Sequence, residues 1–211
     1  MDGQVVLDPE FPVQRSHQRV AVDGKPMGQA SPCYLMLNKP RGLVTSASDE
    51  RGRDTVYRCF DGSGLPWLGP VGRLDKASEG LLLFCNDPEW AARITDPATG
   101  PDKTYHVQVD AIPGPGLMEA LLDDVVDEGE VLSARSAELL RTGTRNAWLQ
   151  VVLEEGRNRH IRRLLAAHGL EVLRLVRVAV GPLRLGELGK GQFRPLSRDE
   201  ILALAPPGAT R

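Results

Sequence analysis

The five residues Leu81–Cys85 form an uninterrupted apolar run, LLLFC, that stops at Asn86-Asp87-Pro88. A run this short, closed by turn-forming residues, predicts a strand buried on both faces. In front of it lies Gly72–Gly80, GRLDKASEG, a polar loop bracketed by glycines. Asp75 therefore stands at the mouth of a buried strand, with Arg73 and Lys76 beside it. A carboxylate held there by rigid structure and kept ionised by cations is placed to act as a nucleophile. An aspartate near a glycine also serves as a plain turn cap, and the loop alone leaves both roles open.

The remaining elements follow from pattern. Cys33–Leu37 (CYLML) predicts a second buried strand, running into the turn Pro40-Arg41-Gly42. Lys39 beside that turn is a surface lysine or a residue that steers phosphate. Asp54–Phe60 predicts a short helix, and Pro88–Thr95 another, with Trp90, Ala91 and Ile94 on one face. Lys103–Val109 alternates, so Tyr105, Val107 and Val109 face inward. Pro113–Val126 predicts an acidic surface helix with Leu117, Leu121 and Leu122 as its buried stripe. Glu130–Leu140 and Ala147–Leu153 predict strands joined by the turn at Thr142–Asn146. Asn158 is placed to cap a helix that ends at Gly169, with Ile161, Leu164 and Leu165 on one face and Arg159, Arg162 and Arg163 on another. An apolar strand over Val172–Arg184 and a last helix over Ser197–Ala203 complete the series.

Composition excludes several classes. At 211 residues, 41% hydrophobic and 26% charged, the chain reads as an ordinary globular protein with one core or two small subdomains. No apolar run reaches membrane-spanning length, and the start lacks the form of a secretion signal. Cys33, Cys59 and Cys85 are widely spaced with no CxxC pair, which argues against a disulfide framework or zinc site and for a reducing cytoplasm. The acids between Asp102 and Glu130 carry no His or Cys at ligand spacing and read as a solvated face. His17, His106 and His168 have no second ligand at metal spacing, so no metal is expected. Net charge is −2, but its distribution is uneven: Val151–Arg198 holds ten bases against four acids. A basic segment in a near-neutral protein can still hold a phosphate backbone.

Four separated motifs then narrow the reading. LNKPRG at Leu37–Gly42, GRLD at Gly72–Asp75 with SEGLLL at Ser78–Leu83, KTY at Lys103–Tyr105, and EGRNRHIRR at Glu155–Arg163 with VGPL at Val180–Leu183 closely resemble the signature of the RsuA family of pseudouridine synthases, which modify ribosomal RNA. The resemblance runs from about Cys33 to Leu204. It implies an α/β fold of the α+β type: a mixed, largely antiparallel central sheet with flanking helices, in two subdomains around a catalytic cleft. It implies Asp75 as nucleophile, Tyr105 as the ring that stacks on the target uracil and passes protons, and Arg162 as the cation paired with Asp75. Arg73, Arg157, Arg159 and Arg163 are then expected to grip RNA phosphates, with Lys39 and Arg41 assisting. His160 stands where the family has Gln.

The chemistry implied is an isomerisation without redox change or energy input, so no cofactor is expected, and neither GxGxxG nor GxxxxGK[ST] occurs. The expected partner is ribosomal RNA, with the large subunit favoured, acted on by a cytoplasmic monomer. The expected layout is an N-terminal hairpin over residues 1–30 that resembles the last strands of the family's RNA-binding module, a catalytic domain over 31–204, and a disordered tail over 205–211. The helices that precede those strands in the module are absent, through loss or because the chain begins late; an ordinary extra hairpin packed on the main domain is the equal alternative. Two other readings compete: a non-catalytic RNA-binding or ribosome-assembly factor on the same fold, and a glycosidase with Glu79 as its second carboxylate.

Overall fold

The computed structural model describes residues 3–8, 13, 18, 20–23, 25–26, 31–49 and 51–205. Contacts divide the chain into two units, Met1–Ser31 and Pro32–Arg211. In the first, Ala21–Val22 (β1) pairs antiparallel with Lys25–Pro26 (β2). Asp23 between them takes the left-handed conformation that an Asp-Gly hairpin turn requires. The pairing lies inside the second of the two alternating stretches; Gln4–Asp8 of the first is not in a strand. Pro9, His17 and the tail over 206–211 lie outside the described residues.

The second unit is built on one sheet. Its strands are Tyr34–Lys39 (β3), Gly69–Val71 (β4), Glu79–Cys85 (β5), Lys103–Val109 (β6), Ser136–Thr142 (β9), Ala147–Leu153 (β10), Val172–Val180 (β11), Leu183–Arg184 (β12) and Phe193–Pro195 (β13). The order is β13-β3-β5-β11-β6-β10-β9, with β4 on β5 and β12 on β11. Only the β5–β11 pair is parallel. The sheet is therefore mixed and largely antiparallel. A separate two-stranded ribbon pairs Val125–Asp127 (β7) with Glu130–Leu132 (β8).

Every residue of β5 is buried. The alternation along the strand explains why both faces need cover. Leu82 and Phe84 join a core with Leu35, Leu37, Tyr105, Val107, Leu149 and Leu164. Leu81, Leu83 and Cys85 join a second core with Met36, Trp90, Ile94, Leu196 and Leu204. The first core is closed by the helix His160–Ala167 (α3), which contributes Ile161, Leu164 and Leu165. The second is closed by Pro88–Thr95 (α1) and Arg198–Leu204 (α4). Asp87 caps α1, accepting from the N–H groups of Glu89 and Trp90, while Pro88 occupies a first-turn position that needs no donor. Ser197 and Glu200 form a capping box on α4.

Three local expectations are corrected. The helix over Pro113–Val126 shrinks to one turn, Leu117–Ala120 (α2), entered through Gly116 at φ 86°. Leu121 is fully buried, but Leu122 is 45% exposed, and the chain turns past Asp123-Asp124 into β7. Asp123 and Asp124 hydrogen-bond locally and favour turns over helix, and the ribbon that follows gives Val125 a strand partner. The expected strand over Glu130–Leu140 is broken into β8 and β9, because Ala134 N–H turns back to the carbonyl of Leu121. Asn158 does not cap α3; Arg159 holds that position at φ 51° without a side-chain cap bond.

Candidate active site

The loop between β4 and β5 is fixed by its own backbone and by two buried side chains. Ser78 N–H donates to the Asp75 carbonyl at 2.9 Å, and Gly42 N–H donates to the Lys76 carbonyl at 2.8 Å. Thr45 Oγ1 donates to the Leu74 carbonyl at 2.7 Å. Lys39 lies beneath, completely buried. Its Nζ donates to the carbonyls of Ser78 at 2.8 Å, Asp75 at 3.1 Å and Pro40 at 3.2 Å. Each ammonium proton thus has an acceptor, as a buried cation requires. Burial pushes the Lys39 ammonium down to about 8, against the opposing pull of Asp75 and Glu79. The backbone of Asp75 is pinned on both sides, so its half-buried carboxylate points from a rigid mount.

That carboxylate lines an open cavity of about 540 Å³. Tyr105, Leu153, Ile161, Leu175 and Leu83 form apolar wall, and Arg73, Lys76, Arg157, Arg159, Lys103, Arg53 and Arg177 supply cations. Among the described residues, Asp75 is the sole carboxylate of the lining. Tyr105 is 8% exposed, its ring set into the first core while one side reaches the cavity. The cavity therefore pairs one carboxylate with one aromatic ring inside a ring of positive charge. Such a setting suits a polyanion that delivers a flat, uncharged base. Among the described residues no group of three or more His, Cys, Asp or Glu is placed to hold a metal ion, and no helix is long and apolar enough to cross a membrane.

The structure brings together Asp75, Tyr105, Arg73, Arg157 and Arg159 on this lining. It separates others. Lys39 is a buried support of the loop with every proton spent on carbonyls, so it is not presented to a phosphate. Arg163 turns away from the cavity. Its Nε meets Asp127 at 2.5 Å, its Nη1 meets Glu130, and its Nη2 donates to the Asp127 carbonyl at 2.6 Å. These hydrogen bonds raise its guanidinium further above the ordinary arginine value. The acids of the β7–β8 ribbon thus clamp α3 rather than forming a merely solvated face.

Arg162 is close to Asp75 without an ion pair to it among the described residues. Its Nη1 donates to the Val172 carbonyl at 3.0 Å, and its Nε is buried with no partner. Burial lowers its guanidinium from the ordinary value; Arg159 and Arg41 add to that, and Asp75 opposes it. Arg41 is exposed and near enough to act on Arg162, but it is not on the cavity lining. His160 reaches the cavity and donates Nε2–H to the Ser133 carbonyl at 3.0 Å. Burial lowers its imidazole from the ordinary value, which keeps the ring neutral near pH 7. Glu79, the second carboxylate a glycosidase would need, is buried outside the lining. Arg174 holds it at 2.7 and 3.0 Å and Lys190 at 2.7 Å.

A comparison with known proteins bears on this arrangement. The family model for RNA pseudouridylate synthase matches residues 33–167. The chain belongs to the RsuA-type pseudouridine synthases. It is 35% identical over 207 residues to ribosomal large subunit pseudouridine synthase B of Bacillus subtilis, covering 97% of this chain and 84% of that one. It is 39% identical over 189 residues to ribosomal large subunit pseudouridine synthase E of Xanthomonas campestris pv. campestris, covering 82% and 98%. A pseudouridylate synthase of known crystal structure superposes at a TM-score of 0.74 with 30% identity, covering 96% of this chain and 86% of its own. The synthase is therefore an isomerase of uridine in RNA, and the catalytic reading is favoured over the binding-factor and glycosidase alternatives.

Three cations of the synthase's cavity, Arg53, Lys103 and Arg177, were not among the residues expected there. Lys103 lies on the lining and donates to the Glu154 carbonyl at 3.1 Å. Arg177 lies there too, although the pattern of β11 shows it only as one polar residue in an apolar strand. Lys103 carried a signal, as the first residue of Lys-x-Tyr. Arg177 carried none, because its position depends on strand register.

Proposed function

We propose that this synthase converts a uridine of large-subunit ribosomal RNA to pseudouridine, with the Asp75 carboxylate as nucleophile. The observation that carries the reading is that Asp75 is the sole carboxylate among the described residues of the cavity lining and is rigidly mounted beside Tyr105. A flipped-out uracil stacks on the Tyr105 ring, whose phenol is the group available to move a proton. Arg73, Arg157 and Arg159 hold phosphates around the extruded nucleotide, and Arg162 acts on Asp75 as a nearby cation. The named relatives that act on the large subunit support the choice of target. A cytoplasmic monomer is the proposed working form. In layout we assign residues 1–30 to an accessory RNA-binding hairpin and 31–204 to catalysis.

The test is a map of pseudouridines in cellular RNA with and without the gene, repeated with Asp75→Asn. One large-subunit site should vanish in both the deletion and the variant, while purified Asp75→Asn still binds that RNA. An unchanged map, or product from Asp75→Asn at the wild-type rate, overturns the reading.

A further inference from the structure

Arg177 stands at a crossing of three strands. It is opposite Gly80 of β5 and opposite Tyr105 of β6. Gly80 is five residues beyond Asp75, so the strand carrying the nucleophile and the strand carrying the aromatic ring meet at this arginine. The register of β11 slips between Arg177 and Ala179. A bulge of this kind re-aims a side chain. The residue as a whole is 7% exposed and lines the cavity. Its Nε donates to the Leu81 carbonyl at 2.7 Å. That bond locks the plane of the fork, and the two terminal nitrogens make no hydrogen bond to protein among the described residues. They are not among the buried polar atoms left without a partner, so they are open to solvent on a residue that lines the cavity, where a bound group can take the place of water.

The chemistry of the proposed reaction supplies a taker. The bond from ribose to ring N1 breaks with its electron pair staying on the base. Negative charge then spreads from N1 to the ring carbonyl oxygens. If the carboxylate first adds to the ring, charge builds on a carbonyl oxygen in the same way, and the carboxylate leaves again with its electron pair once the new carbon–carbon bond has formed. The ring turns, C5 bonds to the sugar carbon, C5 gives up its proton, and N1 gains one. Nothing is oxidised or reduced. On either route the site must stabilise an anionic pyrimidine deep in the pocket, away from the phosphates at its mouth.

We infer that Arg177 is a further catalytic residue of this synthase, whose terminal N–H groups bind a carbonyl oxygen of the flipped uracil and stabilise the charge that builds there. Donors preset at the place where charge develops need no rearrangement as the bond breaks. Lys103 adds to the positive field: burial lowers its ammonium from the ordinary value, and the neighbouring Arg177 lowers it further. The inference rests on the proposed uridine isomerisation at this cavity.

The test uses the full chain and ribosomal RNA purified from cells lacking the gene. Single-turnover rate and RNA affinity are measured for wild type, Arg177→Gln and Arg177→Lys. Arg177→Gln is expected to lose roughly 10²–10³-fold in rate, with affinity changed less than about threefold and partial rescue by added guanidinium ion. Arg177→Lys keeps a cation and a donor for Leu81 but loses the fork, and is expected to fall about tenfold. A packing role alone would not respond to guanidinium. The inference is overturned if both variants turn over at the wild-type rate, or if affinity falls while rate holds, which would make Arg177 a phosphate contact. If Arg177→Gln does not fold, a wild-type rate in Arg177→Lys overturns it alone. Wild-type enzyme that makes no product would instead overturn the proposed function.

Discussion

Gly80 and Gly42 form a natural pair for separating backbone strain from steric clash. Both lie in the left-handed region, Gly80 at φ 101° and Gly42 at φ 99°. A methyl group built on Gly42 meets nothing within 4 Å. The same group on Gly80 falls 2.2 Å from the Arg177 carbonyl oxygen and 2.8 Å from its nitrogen. Those are backbone atoms of β11, the parallel partner of β5, and they cannot swing aside like a side chain. Gly42→Ala should therefore show the conformational term alone, about 1–3 kcal/mol for a side chain at such a φ, partly offset by about 0.4–1 kcal/mol from a stiffer unfolded chain. Gly80→Ala carries the same term plus overpacking, which costs about 1–3 kcal/mol or more where the neighbour is rigid. The difference between the two, about 1–3 kcal/mol, is the cost of separating β5 from β11. Urea unfolding followed by circular dichroism measures both under identical conditions. Gly80→Ala should also lower turnover by more than its stability loss explains, because the two strands forced apart carry the Asp75 loop and Arg177 respectively. Equal destabilisation by the two substitutions would refute the close approach on which the site geometry depends.

Other consequences are direct. Lys39→Met should displace the Asp75 loop and cut turnover by roughly 10²-fold, as expected for a misplacement of about 1 Å, with RNA affinity nearly unchanged; matched turnover in a rate assay would refute the support role. In the wild type, Lys39 has a folded-state value near 8, below the 10.5 of a free lysine. The unfolded chain then binds more protons between those values, so this group makes folding more favourable as pH rises through the window, while turnover falls as the three-carbonyl clamp loses a proton; parallel pH profiles of stability and rate test that divergence. Glu79, held down to about 2 by Arg174 and Lys190, contributes roughly 3 kcal/mol that is present above pH 4.5 and lost as pH falls toward 2, so Glu79→Gln should flatten the acid limb of the stability curve. Arg157→Ala and Arg159→Ala should each reduce the salt slope of RNA binding by about 1, whereas Arg163→Ala should lower the unfolding midpoint and leave that slope alone.

The fold was legible wherever one residue pattern had one physical solution. Leu81–Cys85 has no polar residue to turn toward water, and both its faces are covered by separate cores. Lys103–Val109 alternates without a break, and its strand has the same bounds. The failures share a cause. Pro113–Val126 carries enough leucines for a helical stripe, but Gly116 starts the turn late and Leu121 is claimed by the first core. Asn158 is a good capping residue in isolation, yet the chain arrives through a left-handed Arg159 and leaves the asparagine exposed. Local preference decides such positions only when tertiary contacts are indifferent.

The site divides along the same line. Asp75 was legible because its neighbours in sequence are its neighbours in space: the loop, the glycines and the strand are one segment. The arginines were legible as a basic cluster but not as individuals. Arg159, Arg162 and Arg163 are adjacent in sequence, yet they face a cavity, a carbonyl and a pair of carboxylates respectively. Helical spacing gives each a direction but not a destination. The destination depends on what β7, β8 and β11 bring to meet the helix, and those strands lie many residues away. Lys39 and Arg177 carry the point furthest. Each is a long cation in an apolar strand, and each ends inside the protein, one spending all its protons on carbonyls and the other only one donor. The difference between a support and a reactive group is thus the number of donors left over. That number is set by strand register and by a single bulge, neither of which has a signature in the residues themselves.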